Sequence, residues 1–155
     1  MAIAFSNLGA TATPDFDGSV SATSYATASW APPASGLIVL WVFANREAAT
    51  PITPTVSGNS LTWIKIKEFD TGGTTKIILF AADATGSTTG ATTVDFAGQT
   101  QRQCSAHFLE VTGSDVATGV FQTFAQSPTN SAGSGTGLSI TLAAASNPAN
   151  RVIVR

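Results

Sequence analysis

The stretch LTWIKIKEF-DTGGT-TKIILFAA, residues 61–82, decides the fold class. Its first block alternates, with Ile64 and Ile66 on one side and Trp63, Lys65 and Lys67 on the other. That period of two is the mark of a half-buried β-strand, its lysines in solvent. The third block is continuously apolar, as a strand covered on both faces would be. Between them, Gly72 and Gly73 are free to adopt positive φ, so the two strands are expected to close an antiparallel hairpin.

The same grammar extends outward. Residues 37–44 (LIVLWVFA) read as a central strand covered on both faces. They follow Pro32 and Pro33, neither of which can donate to a ladder. Residues 19–30 alternate small hydroxyl residues with Ala22, Tyr25 and Trp30. Pro51 and Pro54 force extended or looped backbone, and Gly58-Asn59 marks a turn. Residues 92–96 form a short strand and residues 101–112 a long one, with Cys104, Ala106 and Phe108 opposed to His107, Leu109 and Val111. Further strands are expected at residues 120–125 and 138–143, flanking a loop at 127–137. No apolar stripe of helical period appears. The expectation is all-β: a single antiparallel β-sandwich, jelly-roll-like, of about nine or ten strands. Residues 1–18 would be an N-terminal extension or first edge strand, and residues 19–155 the sandwich domain.

Composition agrees. Only 10% of the 155 residues are charged, while there are 25 Ala, 23 Thr and 16 Ser. Threonine suits the wet face of a sheet, where its branched Cβ fits and its hydroxyl stays hydrated. A net charge of −2 with seven scattered basic residues argues against nucleic acid, which needs clustered cations. The longest apolar run, eight residues, is too short to cross a bilayer as a helix. The first ten residues lack a basic region followed by a long apolar core, so synthesis and assembly in the cytoplasm, or export by lysis, are expected.

Candidate chemistry is sparse. The single histidine, His107, and the single cysteine, Cys104, stand three residues apart on one strand, so they point to opposite faces and form no thiolate–imidazole pair. One cysteine makes no internal disulfide, and one His with one Cys is too few for zinc. Asp15-Phe16-Asp17-Gly18 is the only calcium-like run, and it reads more simply as a turn. Glu47, Glu68 and Glu110 are the only glutamates, and nothing in the sequence brings two together as glycoside hydrolysis requires; Glu47 is expected to pair with Arg46. No catalytic, cofactor or metal residue is assigned. The rings of Tyr25, Trp30, Trp41 and Trp63 could stack on sugars or fill an interface. Trp63, Tyr25, Lys65 and Lys67 are the residues singled out for an interface or ligand-stacking role.

Residues 29–66, SWAPPASGLIVLWVFANREAATPITPTVSGNSLTWIKI, resemble bacteriophage-encoded structural β-proteins. The resemblance rests on Trp-x-Pro-Pro, an apolar strand, Asn-Arg-Glu with a Thr-Pro loop, and Ser-Gly-Asn-x-Leu-Thr-Trp. It covers about a quarter of the chain and brings no catalytic residue. It implies a virion protein: a capsid decoration (cement) protein bound to the major capsid protein and stabilising its lattice, associated with itself, for example as a trimer. The alternative is a tail-fibre or host-recognition module binding surface glycans; a glycoside hydrolase using Glu68 or Glu110 ranks third. Finally, PANRVIVR at residues 148–155 echoes PASGLIVL at 33–40, so a strand is expected to begin there, with the natural chain continuing beyond Arg155.

Overall fold

The computed structural model describes residues 4–8, 16–18 and 20–113. The chain divides into two compact units, Met1–Gly119 and Val120–Arg155, and every described residue belongs to the first. The strands expected at 120–125, 138–143 and 152–154, and the loop at 127–137, lie outside the described residues.

Nine strands and no helix occur among the described residues: β1 (Ala4–Asn7), β2 (Phe16–Gly18), β3 (Ser24–Ala26), β4 (Leu37–Asn45), β5 (Thr55–Gly58), β6 (Ile64–Asp70), β7 (Thr75–Asp83), β8 (Thr92–Asp95) and β9 (Gln103–Thr112). All pairings are antiparallel. The large sheet runs β1-β9-β4-β7-β6, with β2 also on β9, and a smaller sheet runs β3-β8-β5. Residues from both sheets share one core, which includes Ile38, Leu40, Val42, Ile78, Phe80, Ala106 and Phe108 from the large sheet and Tyr25 and Val94 from the small one. The two sheets thus form a sandwich-like all-β body.

The hairpin of residues 61–82 is present. β6 pairs β7, and the Asp70 carboxylate accepts the Gly72 N–H at 2.8 Å, closing the turn while Gly72 takes φ 75°. The alternation of β9 also holds: Cys104, Ala106 and Phe108 are fully buried on the core side.

Three expectations are corrected. The strand expected across 19–30 is confined to Ser24–Ala26, with isolated bridges at Ala22↔Gln101 and Trp30↔Gly90 continuing it discontinuously. Residues 55–58, for which extended and looped backbone were both open, are extended as a strand, because β8 offers them a ladder. Phe16–Gly18, read as a turn, is a strand for the same reason, pairing Ala106, Ser105 and Cys104 along the edge of β9. The parity of residues 61–69 is broken by a register shift between Lys65 and Lys67. Ile64 consequently faces outward, 41% exposed, while Trp63 packs inward against the core.

Candidate functional site

The four residues singled out from sequence do not converge. Tyr25 is buried at 8% exposure, its hydroxyl 2.9 Å from the Val20 carbonyl and 3.1 Å from the Gln101 carbonyl while accepting the Ala22 N–H. Burial raises its pKa above the ordinary phenolic value. Trp63 lies edge-on to Phe108, centroids 6.1 Å apart, with its indole nitrogen buried. Both rings therefore contribute area to the core. Lys65 and Lys67 are both exposed, but the register shift puts them on opposite faces of the strand, beside Phe80 and Leu79 respectively, rather than on the one face that alternation implied.

Lys65 belongs to a small polar group on the edge strand. Its ammonium donates to Glu68 Oε2 at 2.9 Å, the Thr53 hydroxyl donates to the same oxygen, and Lys76 Nζ lies 3.9 Å from Oε1. The Thr53 bond first, then the Lys65 bond, hold the Glu68 carboxyl below its usual range. Lys76 projects from the core side of β7, opposite Ala44, and is buried. Glu68 gives that ammonium an opposite charge at the rim of the core.

The remaining titratable groups stay apart. Cys104 is buried on the core face and His107 is exposed on the other, so the two are on opposite sides of β9. Burial pushes the Cys104 thiol up to about 12, which keeps it protonated and unreactive. Glu68 aligns across β7 and β4 with Ala106 of β9, so three strand spacings, about 14 Å, separate it from the strand of Glu110. Glu110 accepts the Ser6 hydroxyl, Arg46 donates to the Thr100 carbonyl rather than to Glu47, and Glu47 is exposed. Among the described residues no group of three His, Cys, Asp or Glu is placed to hold a metal ion.

What the sequence reading missed is the outer face of the large sheet. Register places Leu79 beside Trp41, Ile77 beside Phe43, and Ala81 beside Val39. β6 adds Phe69 next to Ile77, Ile64 next to Ala81 and Lys67 next to Leu79. The middle of this face is thus Val39, Trp41, Phe43, Ile77, Leu79 and Ala81. Phe69 is 57% exposed at its border, and Trp41, Phe43, Ile77 and Leu79 are half-buried. Lys67, Asp83, Asn45 and Thr75 supply polar groups around it. An apolar middle with a polar rim is the anatomy of an association surface. The small sheet packs on the opposite face, and on this one Val39, Ala81, Ser105 and Val111 are nevertheless buried. The signal was in LIVLWVFA and TKIILFAA: runs without alternation ask for cover on both faces, and the small sheet covers one.

Among the described residues no helix is long and apolar enough to cross a membrane. No protein-family model, curated protein or solved structure matches the chain.

Proposed function

We propose that this chain is a structural protein of a bacteriophage virion, most directly a capsid decoration protein, made in the host cytoplasm and docking on the major capsid protein through the outer face of its large sheet. The observation that carries the reading is the apolar middle of that face, Trp41, Phe43, Ile77 and Leu79, at the centre of the sheet with a polar rim. The resemblance of residues 29–66 to phage structural β-proteins supports the setting. A surface of this kind works by linkage: a protein that binds only the assembled lattice stabilises it in proportion to its binding free energy. A chain with 10% charged residues suits such dense packing, because few charges need to be desolvated. The proposal extends to the whole fold as a jelly-roll-like sandwich of about nine or ten strands.

Electron microscopy of particles carrying the labelled protein tests it. Label distributed over the capsid is the expected result. Label confined to the tail would overturn the decoration role and favour the host-recognition alternative. Leu79→Arg, which places a charge in the middle of the face, is expected to abolish incorporation without unfolding the protein.

A further inference from the structure

We infer that β6 is a two-register edge strand: its N-terminal half slips by one residue along β7, carrying Trp63 from the core to the outer face of the large sheet. The slip is a property of the strand itself and is independent of the capsid reading.

Both registers are written in residues 63–70. In the observed one, Lys67, Glu68, Phe69 and Asp70 pair Leu79, Ile78, Ile77 and Lys76, while Ile64 and Lys65 pair Ala81 and Phe80. Ile66 is the extra residue between the two blocks, a β-bulge. Continuing the pairing from Lys67 without the bulge sets Ile66 opposite Phe80, Lys65 opposite Ala81, Ile64 opposite Ala82 and Trp63 opposite Asp83. Every residue before the bulge then changes face. Ile64 and Ile66 turn toward the core and Trp63 and Lys65 turn outward, the arrangement that alternation in the sequence favours.

Little has to be broken to reach it. β6 ends the sheet, so among the described residues only β7 pairs with it, and only the pairs of Ile64 and Lys65 are remade. Residues 61–63 carry no ladder and can absorb the extra reach of about 3.3 Å, one residue of strand.

Opposing terms set the balance. The bulged register leaves Ile64 41% exposed and buries Trp63 Nε1 with no hydrogen-bond partner among the described residues. A buried donor without an acceptor is unfavourable, and the slip relieves both defects. Packing of Trp63 on Phe108 resists it, as does the Lys65–Glu68 pair at 2.9 Å. Residues three apart on a regular strand face opposite sides, so this pair exists only because of the bulge. Thr53, Lys76 and Asp70 surround Glu68 in either register, since the block from Lys67 onward stays in place. Lys65 is thus the contact that discriminates. Slipped, it leaves Glu68 and joins Lys67 on the outer face, where like charges meet. The ion pair is a clasp on the bulge, and a ligand that binds the outward ring of Trp63 draws the population the other way.

Fluorine NMR of the full chain, with its three tryptophans fluorinated, tests this. The Trp63 signal is assigned by its loss in Trp63→Phe. A second, minor Trp63 resonance is expected, with the solvent isotope shift of an exposed ring. Lys65→Gln, which alters an exposed side chain, should raise the ratio of minor to major signal about two- to fivefold, the range of an exposed ion pair. A cysteine trap reads the registers directly: Ile64→Cys with Ala81→Cys reports the bulged one, and Lys65→Cys with Ala81→Cys the slipped one. Both pairs should form a disulfide on oxidation. A single Trp63 resonance in both wild type and Lys65→Gln overturns the inference, as does a minor resonance indifferent to Lys65→Gln. Failure of the Lys65–Ala81 pair to close where the Ile64–Ala81 pair closes overturns it too.

Discussion

Asn59 occupies a left-handed backbone position, φ 56°, with Ser60 at 53°, in a tight turn closed by the Leu61 N–H on the Gly58 carbonyl. Its buried amide lies 3.1, 3.2 and 2.9 Å from the carbonyls of Trp30, Thr88 and Gly90, and its side-chain oxygen accepts the Thr92 hydroxyl at 2.7 Å. Trp30 Nε1 in turn donates to that hydroxyl. One residue therefore ties three separate segments at the end of the small sheet. Asn59→Asp sets a carboxylate against carbonyl oxygens and should cost about 3 kcal/mol or more, read from urea denaturation. The neighbouring Gly58 has φ 117°, and a Cβ there would meet the Ala91 carbonyl oxygen at 2.1 Å. Gly58→Ala should lower Tm by on the order of 15 °C. Gly72→Ala, at φ 75° in open space, should lower it only by about 5 °C. Glu68 sets a pH dependence. Its folded pKa is depressed by Thr53 and Lys65, so its contribution is complete above the ordinary carboxylate range and disappears as pH falls through the folded value. Glu68→Gln should flatten the acid limb of stability against pH, and a superimposable limb would contradict that account. The sequence announced the Gly58-Asn59 turn but not the network, since the carbonyls that Asn59 reaches lie about thirty residues away.

Strands were legible where two conditions held together: an unbroken period and a partner of matching length. β9 satisfies both, and its two faces fall where alternation puts them. β6 shows how the reading fails. The register shift at Lys65–Lys67 adds one residue to the edge strand, so positions before it change sides. Trp63 therefore turns to Phe108 and Ile64 turns outward. Short strands such as β3 and β5 were obscured because their ladders are supplied by β8, distant in sequence. The two phenylalanines at either extreme make a test at this scale. Phe108, fully buried between Trp30 and Trp63, should cost about 3–5 kcal/mol when replaced by Ala. Phe69→Ala, on the rim of the outer face, should change the stability of dilute protein by less than about 0.5 kcal/mol. Equal losses in chemical denaturation would mean that Phe69 is part of the core.

For the molecule as a whole, low charge and abundant Thr, Ser and Ala identified the all-β class, and the search for catalytic clusters assigned none. The candidate surface was written in the sequence only as a surplus of apolar residues, because composition cannot say which side of a sheet is left for a partner. Trp63 and Tyr25 attracted notice as large rings, yet packing directs them inward; Trp41 and Phe43, taken for buried strand residues, line the outer face instead. The central claim is that this face is an association surface. The protein carries a built-in control for testing it, since the lone native thiol, Cys104, is buried with a pKa of about 12 and should not react in the folded state. Phe69→Cys places one reactive thiol at the edge of the face. The most direct measurement is its rate of maleimide labelling in the free protein and in assembled particles. Labelling that is fast in the free protein and slows at least severalfold in particles, with Cys104 silent throughout, is the predicted result. Equal rates in the two would contradict the account.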